Sequence, residues 1–261
     1  MKYFLIISGD ERSNDVRDWV DAWNKAIKGT DNQEVEFVPD QGKADAIIVV
    51  GGDGKMLNAI DDYHKLKVPF FGINRGTFGF LLNPINSFGD FLRALKNFSQ
   101  HKVLELNLLN ATFFGKADSA VSVEYAFNDV YVKAKEGNET IMGEAISYAS
   151  EKYFQKPFKG DGWIVATPQG STAYNHSAGG YVLPLEEKLL AVTSICSMNE
   201  PIKEVTLMER VDIIIRRGTA IGYADRKKIE NLKKVVITPA HTVKLAFVGS
   251  YNYQLKRFQL K

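Results

Sequence analysis

Cysteine is almost missing from this sequence: Cys196 is the single one among 261 residues. One cysteine excludes a disulfide within the chain. Cys196 lies in an apolar, strand-like run, which favours a small residue of the core over a reactive thiol.

Long apolar runs and a strong charge of one sign are missing as well. No run approaches the length that spans a membrane, and the chain starts with a strand pattern, Tyr3 to Ile7, without a charged leader and cleavage site. The formal net charge is only +2 with scattered Lys and Arg, so no basic field points to nucleic acid or a membrane surface. We therefore expect a cytoplasmic protein that binds any anionic partner locally.

The first part of the chain alternates strand and helix patterns. Hydrophobic residues make up 45% of the sequence and charged residues 25%, which is ordinary for a globular protein of one large or two small domains. Continuous apolar runs are typical of a parallel sheet covered on both faces. We predict an α/β domain over residues 1–100, with helices that begin near Ser13 or Asn14 and at Ser87. Its predicted strands are Tyr3 to Ile7, Val35 to Val38, Ala46 to Val50 and Val68 to Ile73.

From about Leu104 the pattern changes to short strands of period two, separated by Gly, Asn, Asp and Lys turns. This change predicts a mostly β, sandwich-like domain over residues 101–247. Its predicted strands are Leu104 to Phe114, Val121 to Val132, Ile146 to Phe154, Leu189 to Cys196, Val211 to Arg216 and Val235 to Thr238.

A glycine-rich turn, Gly51-Gly52-Asp53-Gly54, stands between an apolar strand pattern and a helix pattern from Lys55 to His64. Strand, glycine turn and helix form a phosphate cradle, because the backbone can approach an anion closely and the helix N-terminus carries partial positive charge. A carboxylate there would repel a phosphate unless it holds a metal or takes a proton from an attacking hydroxyl. Asp53 is therefore the candidate general base. The alternative is that Asp53 caps the helix.

A second glycine-rich stretch runs from Gly160 to Gly180, GDGWIVATPQGSTAYNHSAGG. A strand-like run leads into a turn and a short helical piece, and Tyr174 offers a flat ring. We expect unpaired N–H groups beside Thr167, Ser171 and Thr172, which would suit the polar edge of a nucleotide. The alternative is a glycine-rich loop with a helix cap.

Together these stretches resemble the NAD kinase family. The matching motifs are GGDG at Gly51 to Gly54, the pair Asn128-Asp129 after an apolar strand, and GDG followed by TPxGSTAYxxSAGG from Gly160 to Gly180. They occur in the order of the family, and Arg75 to Phe80 matches a further segment, so the resemblance covers most of the chain. GGDG alone is shared with lipid kinases and phosphofructokinases, whereas the long motif is much more specific.

The resemblance implies an NAD kinase-like fold in which residues 248–261 pack back on the first domain. It implies transfer of a phosphoryl group from ATP or polyphosphate to the 2′-hydroxyl of the adenosine ribose of NAD, which Asp53 activates. Mg²⁺ or another divalent cation would come with ATP, since the sequence has no GxxxxGK[ST] loop and no recognisable metal-ligand cluster. A homodimer or homotetramer is also implied.

The resemblance further implies contacts residue by residue. In the second domain, Asn128 contacts the adenine, Asp129 the ribose hydroxyls and Asp161 the nicotinamide carboxamide. A carboxylate accepts well from two adjacent hydroxyls and repels a 2′-phosphate. Asn128-Asp129 and Asp161 could instead be turn residues. The other expected nucleotide contacts are Gly52, Gly54, Lys55, Phe80, Thr172, Ala173, Tyr174, Ser177, Cys196, Met198, Asp225 and Arg226.

Three positions depart from the usual family pattern. Lys55 follows GGDG where a small hydroxyl residue is common, Asp129 replaces the commoner Glu, and Gln169 stands where Thr or Ser is usual. Lys55 could supply a cation to phosphates or be a solvated helix residue.

Parts of the sequence are also compatible with three other functions. A lipid kinase shares the GGDG motif, but no pattern in this sequence predicts a surface that binds lipid. A Rossmann dehydrogenase would need GxGxxG after the first strand, which is missing. A dinucleotide-binding regulator without catalysis would not require Asp53.

Overall fold

The computed structural model describes residues 1–28, 34–116, 119–137, 139–149, 154–249 and 252–259. The chain divides into two compact units. Unit 1 consists of residues Met1–Glu105 and Val243–Lys261, and unit 2 of residues Leu106–Thr242. Within the described ranges, none of the helices has both the length and the apolar character that crossing a membrane requires.

The strands are, in chain order, β1 (Lys2–Ile7), β2 (Glu36–Phe37), β3 (Ala46–Gly51), β4 (Phe70–Asn74), β5 (Lys102–Phe114), β6 (Ala120–Ala126), β7 (Asp129–Ala134), β8 (Ile141–Ser147), β9 (Phe154–Ala166), β10 (Leu189–Ser197), β11 (Lys203–Leu207), β12 (Val211–Arg217), β13 (Ala220–Ala224), β14 (Lys227–Leu232) and β15 (Lys234–Phe247). The α-helices are α1 (Asn14–Ile27), α2 (Asp53–Tyr63), α3 (Phe88–Lys96), α4 (Tyr174–Ser177) and α5 (Tyr253–Phe258). Short 3₁₀ turns lie at Glu11–Ser13, Gln41–Lys43, His64–Leu66, Phe98–Gln100 and Gln169–Thr172.

Unit 1 contains the predicted parallel sheet. Its strands lie in the order β4-β3-β1-β2, and each neighbouring pair is parallel. Every residue of β3 is buried, as expected for a strand covered on both faces. Ser87 caps α3 as predicted, because its hydroxyl accepts the N–H of Asp90 at 3.1 Å. The α/β class of the first domain is confirmed.

Unit 2 is mostly antiparallel β structure, which confirms the predicted class. Strand β9 pairs with β7, β8 and β10, and further pairs join β8 to β12, β12 to β15, β7 to β13 and β13 to β14. Strand β11 pairs with β10, and β5 pairs with β6 and β15. Trp163 on β9, Phe113 on β5 and Val130 on β7 are fully buried in one cluster. This cluster fixes β9, the strand that leads into the second glycine-rich stretch.

Several predicted strands are wrong in their bounds. Val121 to Val132 is broken between β6 and β7, because the backbone at residues 127–129 turns to bond the Asp225 carboxylate. The predicted strand Ile146 to Phe154 is wrong in its described part, because β8 ends at Ser147, Tyr148 and Ala149 belong to no strand, and β9 begins at Phe154. Residues 150–153 of this prediction lie outside the described residues. Strand β15 is far longer than the predicted Val235 to Thr238.

The expectation that Cys196 is a core residue is also wrong. Cys196 is exposed and has a φ of 45°. Its neighbours Ile195 and Ser197 pair with Gly162 and Gly160 of β9. The left-handed backbone at residue 196 interrupts the extended strand near its end, and the side chain is exposed there although the six residues before it are buried.

Candidate functional site

The turn after β3 depends on glycine for two steric reasons. Gly51 has a φ of 156°, and a Cβ there would lie 2.9 Å from the Cβ of Lys55. A Cβ on Gly76 would lie 2.9 Å from the Cα of Gly52. The backbone N–H of Arg75 also donates to the carbonyl of Gly51 at 2.8 Å. The GGDG turn is therefore packed backbone to backbone against residues 74–76.

Asp53 is the first residue of α2, and its carboxylate is held by a different segment of unit 1. The backbone N–H of Phe80 donates to Oδ2 at 3.0 Å, and that of Leu81 donates to Oδ1 at 2.9 Å. The alternative in which Asp53 caps α2 is wrong, since the N-cap is Gly52 and no side chain caps this end. Each carboxylate oxygen keeps a second lone pair, which could accept a hydrogen bond from a bound hydroxyl.

The segment that holds Asp53 is a turn with its own constraint at Gly79. Gly79 has a φ of 66°, and a Cβ there would lie 2.3 Å from the side-chain amide group of Asn74. The rings of Phe78 and Phe80 stack with centroids 5.8 Å apart. Phe78 is 61% exposed and Phe80 is half-buried, so the turn presents an aromatic surface next to the carboxylate.

In unit 2, Asn128 lies in a backbone segment that is fixed on two sides. Asp225 accepts the N–H groups of Phe127, Asn128 and Asp129 at 2.7, 2.9 and 3.2 Å. The hydroxyl of Thr167 donates to the carbonyls of Phe127 and Asn128. The side-chain Oδ1 of Asn128 is buried and accepts no hydrogen bond within the described part of the chain. A buried carbonyl oxygen in this state fits a donor group of a ligand.

Asp129 is buried, with only 4% of its surface exposed. Burial raises the pKa of its carboxyl to about 8, and the negative charge of Asp225 adds to the shift. This shift favours the protonated form of Asp129, which can both donate and accept. The repulsion of a 2′-phosphate, expected from the sequence, requires the ionised form.

Asp161, Tyr174 and Cys196 lie together in unit 2. A hydrogen bond to the Asp161 carboxylate and its charge raise the pKa of the Cys196 thiol. Burial raises the pKa of Tyr174, and Cys196, Asp129 and Asp161 add to the shift. A cavity of about 210 Å³ is lined by Asp161 and Tyr174 among others. The Tyr174 ring meets Tyr131 edge-on at 5.0 Å. Asp161, Tyr174 and Cys196, which are distant from one another in the sequence, therefore share one surface of unit 2.

Sequence comparison identifies both parts of the chain. Residues 10–103 match the ATP-NAD kinase N-terminal domain, and residues 127–221 match the ATP-NAD kinase C-terminal domain. The NAD kinase of Rickettsia bellii is 32% identical over 224 residues, which cover 82% of this chain and 83% of that protein. This chain belongs to the NAD kinase family. The NAD kinase of Rickettsia felis is 38% identical over 160 residues, 59% of this chain and 58% of that protein.

Solved NAD kinase structures share the fold. An NAD kinase from Archaeoglobus fulgidus, solved in complex with ATP, has a TM-score of 0.73 at 23% identity, with both chains fully covered. Yeast NADH kinase, solved with NADH, has a TM-score of 0.75 at 17% identity and covers 99% of this chain and 86% of its own. The NAD kinase-like fold inferred from the sequence is confirmed.

The other residues expected near the nucleotide differ in burial and in hydrogen bonding. The N–H groups of Thr167 and Ser171 are bonded to the carbonyls of Asn128 and Pro168, so the expectation of free donors there is wrong. The N–H of Ser171 is used within its own helical turn, whereas that of Thr167 joins the segment that carries Asn128. Thr172 and Ala173 are half-buried, whereas Ser177, Met198 and Arg226 are exposed.

Gln169 is buried in a structural position. Its side-chain amide donates to the carbonyls of Asn107 and Phe127 at 2.8 and 2.7 Å. The Asp225 carboxylate, expected to contact nucleotide, is engaged by three backbone amides. Among the described residues there is no group of three or more His, Cys, Asp and Glu side chains that could hold a metal ion.

Sequence reasoning missed two cations near Asp53. Lys256 and Arg257 lie on α5, in unit 1, and the charge of Asp53 opposes the effect of burial on the pKa of each. Burial lowers the pKa of Arg257 to about 10. The adjacent pair Lys256-Arg257 in a short helix pattern was the available signal, but nothing in the sequence links it to residue 53.

Proposed function

We propose that this protein is an NAD kinase that transfers the terminal phosphoryl group of ATP to the 2′-hydroxyl of the adenosine ribose of NAD. Asp53 acts as the general base. The observation that carries this proposal is the carboxylate of Asp53, held through both oxygens by the backbone amides of Phe80 and Leu81. A fixed carboxylate at the end of a glycine turn suits proton abstraction from a bound hydroxyl.

The 2′-oxygen attacks the γ-phosphorus, its proton passes to Asp53, and the bond between the γ-phosphorus and the β,γ-bridging oxygen breaks to release ADP. The products are NADP and ADP. The two hydrogen bonds from backbone N–H groups restrain rotation of the Asp53 carboxylate. A lone pair of the carboxylate therefore stays directed toward the acceptor hydroxyl.

The donor is Mg²⁺-ATP in this proposal, and polyphosphate is the alternative. The Archaeoglobus fulgidus relative was solved with ATP, which supports a nucleotide donor. Gly52, Gly54 and Lys55, at the start of α2, contact its phosphates. The divalent cation comes with the triphosphate and is part of the substrate.

Unit 2 supplies the contacts to NAD. The buried Oδ1 of Asn128 accepts from the amino group of adenine, and Asp129 exchanges hydrogen bonds with the ribose hydroxyls. Asp161 accepts from the nicotinamide carboxamide, and Tyr174 offers its ring. The remaining proposed nucleotide contacts are Phe80, Thr172, Ala173, Ser177, Cys196, Met198, Asp225 and Arg226.

The test is formation of NADP from NAD and Mg²⁺-ATP by the purified protein, with Asp53→Asn and Asp62→Asn alongside. Asp62 is an exposed residue of the same helix, so its variant controls for the chemical change. We expect NADP with the parent and with Asp62→Asn, and a rate lower by roughly 10²–10⁴-fold with Asp53→Asn. Unchanged turnover by Asp53→Asn would remove its role as base.

The donor and the assembly are tested separately. Replacing ATP with polyphosphate in the same assay decides between the two donors. We further propose a cytoplasmic protein that forms a homodimer or homotetramer through unit 2. Light scattering on the purified chain gives the mass directly, and a monomer at micromolar concentration would contradict the assembly.

A further inference from the structure

The last described helix of unit 1, α5, is tied to the turn that holds Asp53. The ammonium of Lys256 donates to the carbonyl oxygens of Phe78 and of Gly79, the latter at 3.2 Å. It also lies 6.0 Å from the centroid of the Phe80 ring. One side chain therefore contacts three successive residues of the turn.

The bond to Gly79 bears directly on Asp53 through a single peptide group. The carbonyl of Gly79 and the N–H of Phe80 belong to the same planar peptide bond. Its oxygen accepts from Lys256, and its N–H donates to Asp53 Oδ2 at 3.0 Å. Because the group is planar, fixing the oxygen also fixes the direction of the N–H. A cation on the oxygen further polarises the N–H and strengthens its bond to the carboxylate.

The surrounding charges are consistent with this connection. Lys256 is partly buried, which lowers its pKa, and the negative charge of Asp53 opposes that shift. The attraction between Lys256 and Asp53 therefore stabilises the charged form of this partly buried ammonium group.

We propose that Lys256 is a positioning residue for phosphoryl transfer, which orients the Gly79–Phe80 peptide so that Asp53 faces the acceptor hydroxyl. The inference rests on the proposed role of Asp53 as base. Lys256 acts through Asp53 and not by binding either substrate. Its loss therefore lowers the rate of the chemical step and leaves substrate binding nearly unchanged.

The experiment measures kcat and the KM for NAD and ATP in Lys256→Met, Lys256→Arg and a control, Lys25→Met, at an exposed position of α1. We expect Lys256→Met to lower kcat by roughly 10- to 100-fold, with both KM values within about threefold of the parent. Lys256→Arg keeps a cationic donor, so it should recover most of the rate. Lys25→Met should match the parent.

A double-mutant cycle with Asp53→Asn separates this inference from the proposed function. If Lys256 acts through Asp53, Lys256→Met costs less than about threefold once Asp53 is replaced. A full, multiplicative loss in that background overturns the inference while leaving Asp53 as base. An Asp53→Asn enzyme as active as the parent instead overturns the proposed base.

Two other kinetic results for Lys256→Met would contradict its positioning role. A raised KM for ATP with kcat unchanged would show that Lys256 binds the donor, and an unchanged kcat would show that it has no part in the reaction; either overturns the proposal. If Lys256→Met does not fold, Lys256→Gln keeps an N–H donor without the charge. A normal kcat in a folded Lys256→Gln overturns the role of the cation, and a lowered kcat at unchanged KM supports it.

Discussion

The carboxylate of Asp225 accepts the backbone N–H of Asn128 at 2.9 Å, across 97 positions of sequence. The same carboxylate accepts the N–H groups of Phe127 and Asp129. Asp225 itself has a φ of 50°, which is uncommon for any residue with a side chain. The turn between β13 and β14 is therefore shaped to deliver one carboxylate to the start of β7.

The first prediction concerns this carboxylate. Asp225→Ala leaves three backbone N–H groups without their acceptor and places alanine at a left-handed position. We expect a loss of about 2–4 kcal/mol in the free energy of unfolding and weaker NAD binding. Urea denaturation and calorimetric titration with NAD measure the two effects. Asp21→Ala, at an exposed position of α1, is the control. Equal stability of the two variants would contradict the structural role.

The second prediction concerns Asn128, whose Oδ1 is buried without a hydrogen bond from the described residues. Asn128→Ala removes no hydrogen bond that the described residues donate to Oδ1, so the melting temperature should fall little. If Oδ1 receives the adenine amino group, NAD affinity should fall by roughly 10-fold. Thermal melting and NAD titration on one sample give both values. A large loss of stability with normal affinity would assign Asn128 to the fold instead.

The third prediction is a pH dependence at Asp129. Its pKa is raised to about 8 in the folded chain, so between pH 4 and pH 8 the native state binds more protons there than the unfolded state. This group therefore contributes less stability as pH rises through that window. Asp129→Asn does not titrate, so its melting temperature relative to the parent should increase from pH 5 to pH 8, by roughly 10 °C. A difference between Asp129→Asn and the parent that stays constant from pH 5 to pH 8 would refute the raised pKa.

The fourth prediction tests the turn that holds Asp53. Gly79→Ala requires a left-handed alanine whose Cβ would meet Asn74 at 2.3 Å. We expect a loss of about 2–3 kcal/mol in stability together with slower turnover, because the Phe80 N–H shifts away from Asp53. Gly9→Ala has open space around the added carbon and serves as the control. Wild-type activity in Gly79→Ala would show that the turn tolerates a different backbone.

The sequence predicted the elements whose cause is local. Strand β3 and the start of α2 follow from an apolar run and a glycine turn, and Ser87 caps α3 through its own hydroxyl. The break between β6 and β7 has its cause at Asp225, about a hundred residues away, so no local pattern could show it. The prediction for Cys196 failed because its left-handed backbone ends a continuously buried run, and the apolar sequence pattern does not show this change.

The candidate site divides in the same way. Asp53 could be proposed as the general base from the sequence alone, because a carboxylate beside a phosphate is unfavourable unless it takes part in the chemistry. The amides of Phe80 and Leu81 that hold it, and Lys256 behind them, come from segments with no periodic relation to residue 53. Predicting such contacts requires the tertiary structure, since backbone donors leave no signature in the side chains.

The bond between Gly79 and Lys256 joins residues 177 positions apart and has a consequence for biosynthesis. Unit 1 draws on both ends of the sequence, whereas unit 2 is one continuous stretch. Because α5 follows unit 2 in the sequence, unit 1 is completed only after the whole of unit 2 has been synthesised. Until α5 is synthesised, the turn that holds Asp53 lacks its contact with Lys256, so the geometry of this turn is completed last.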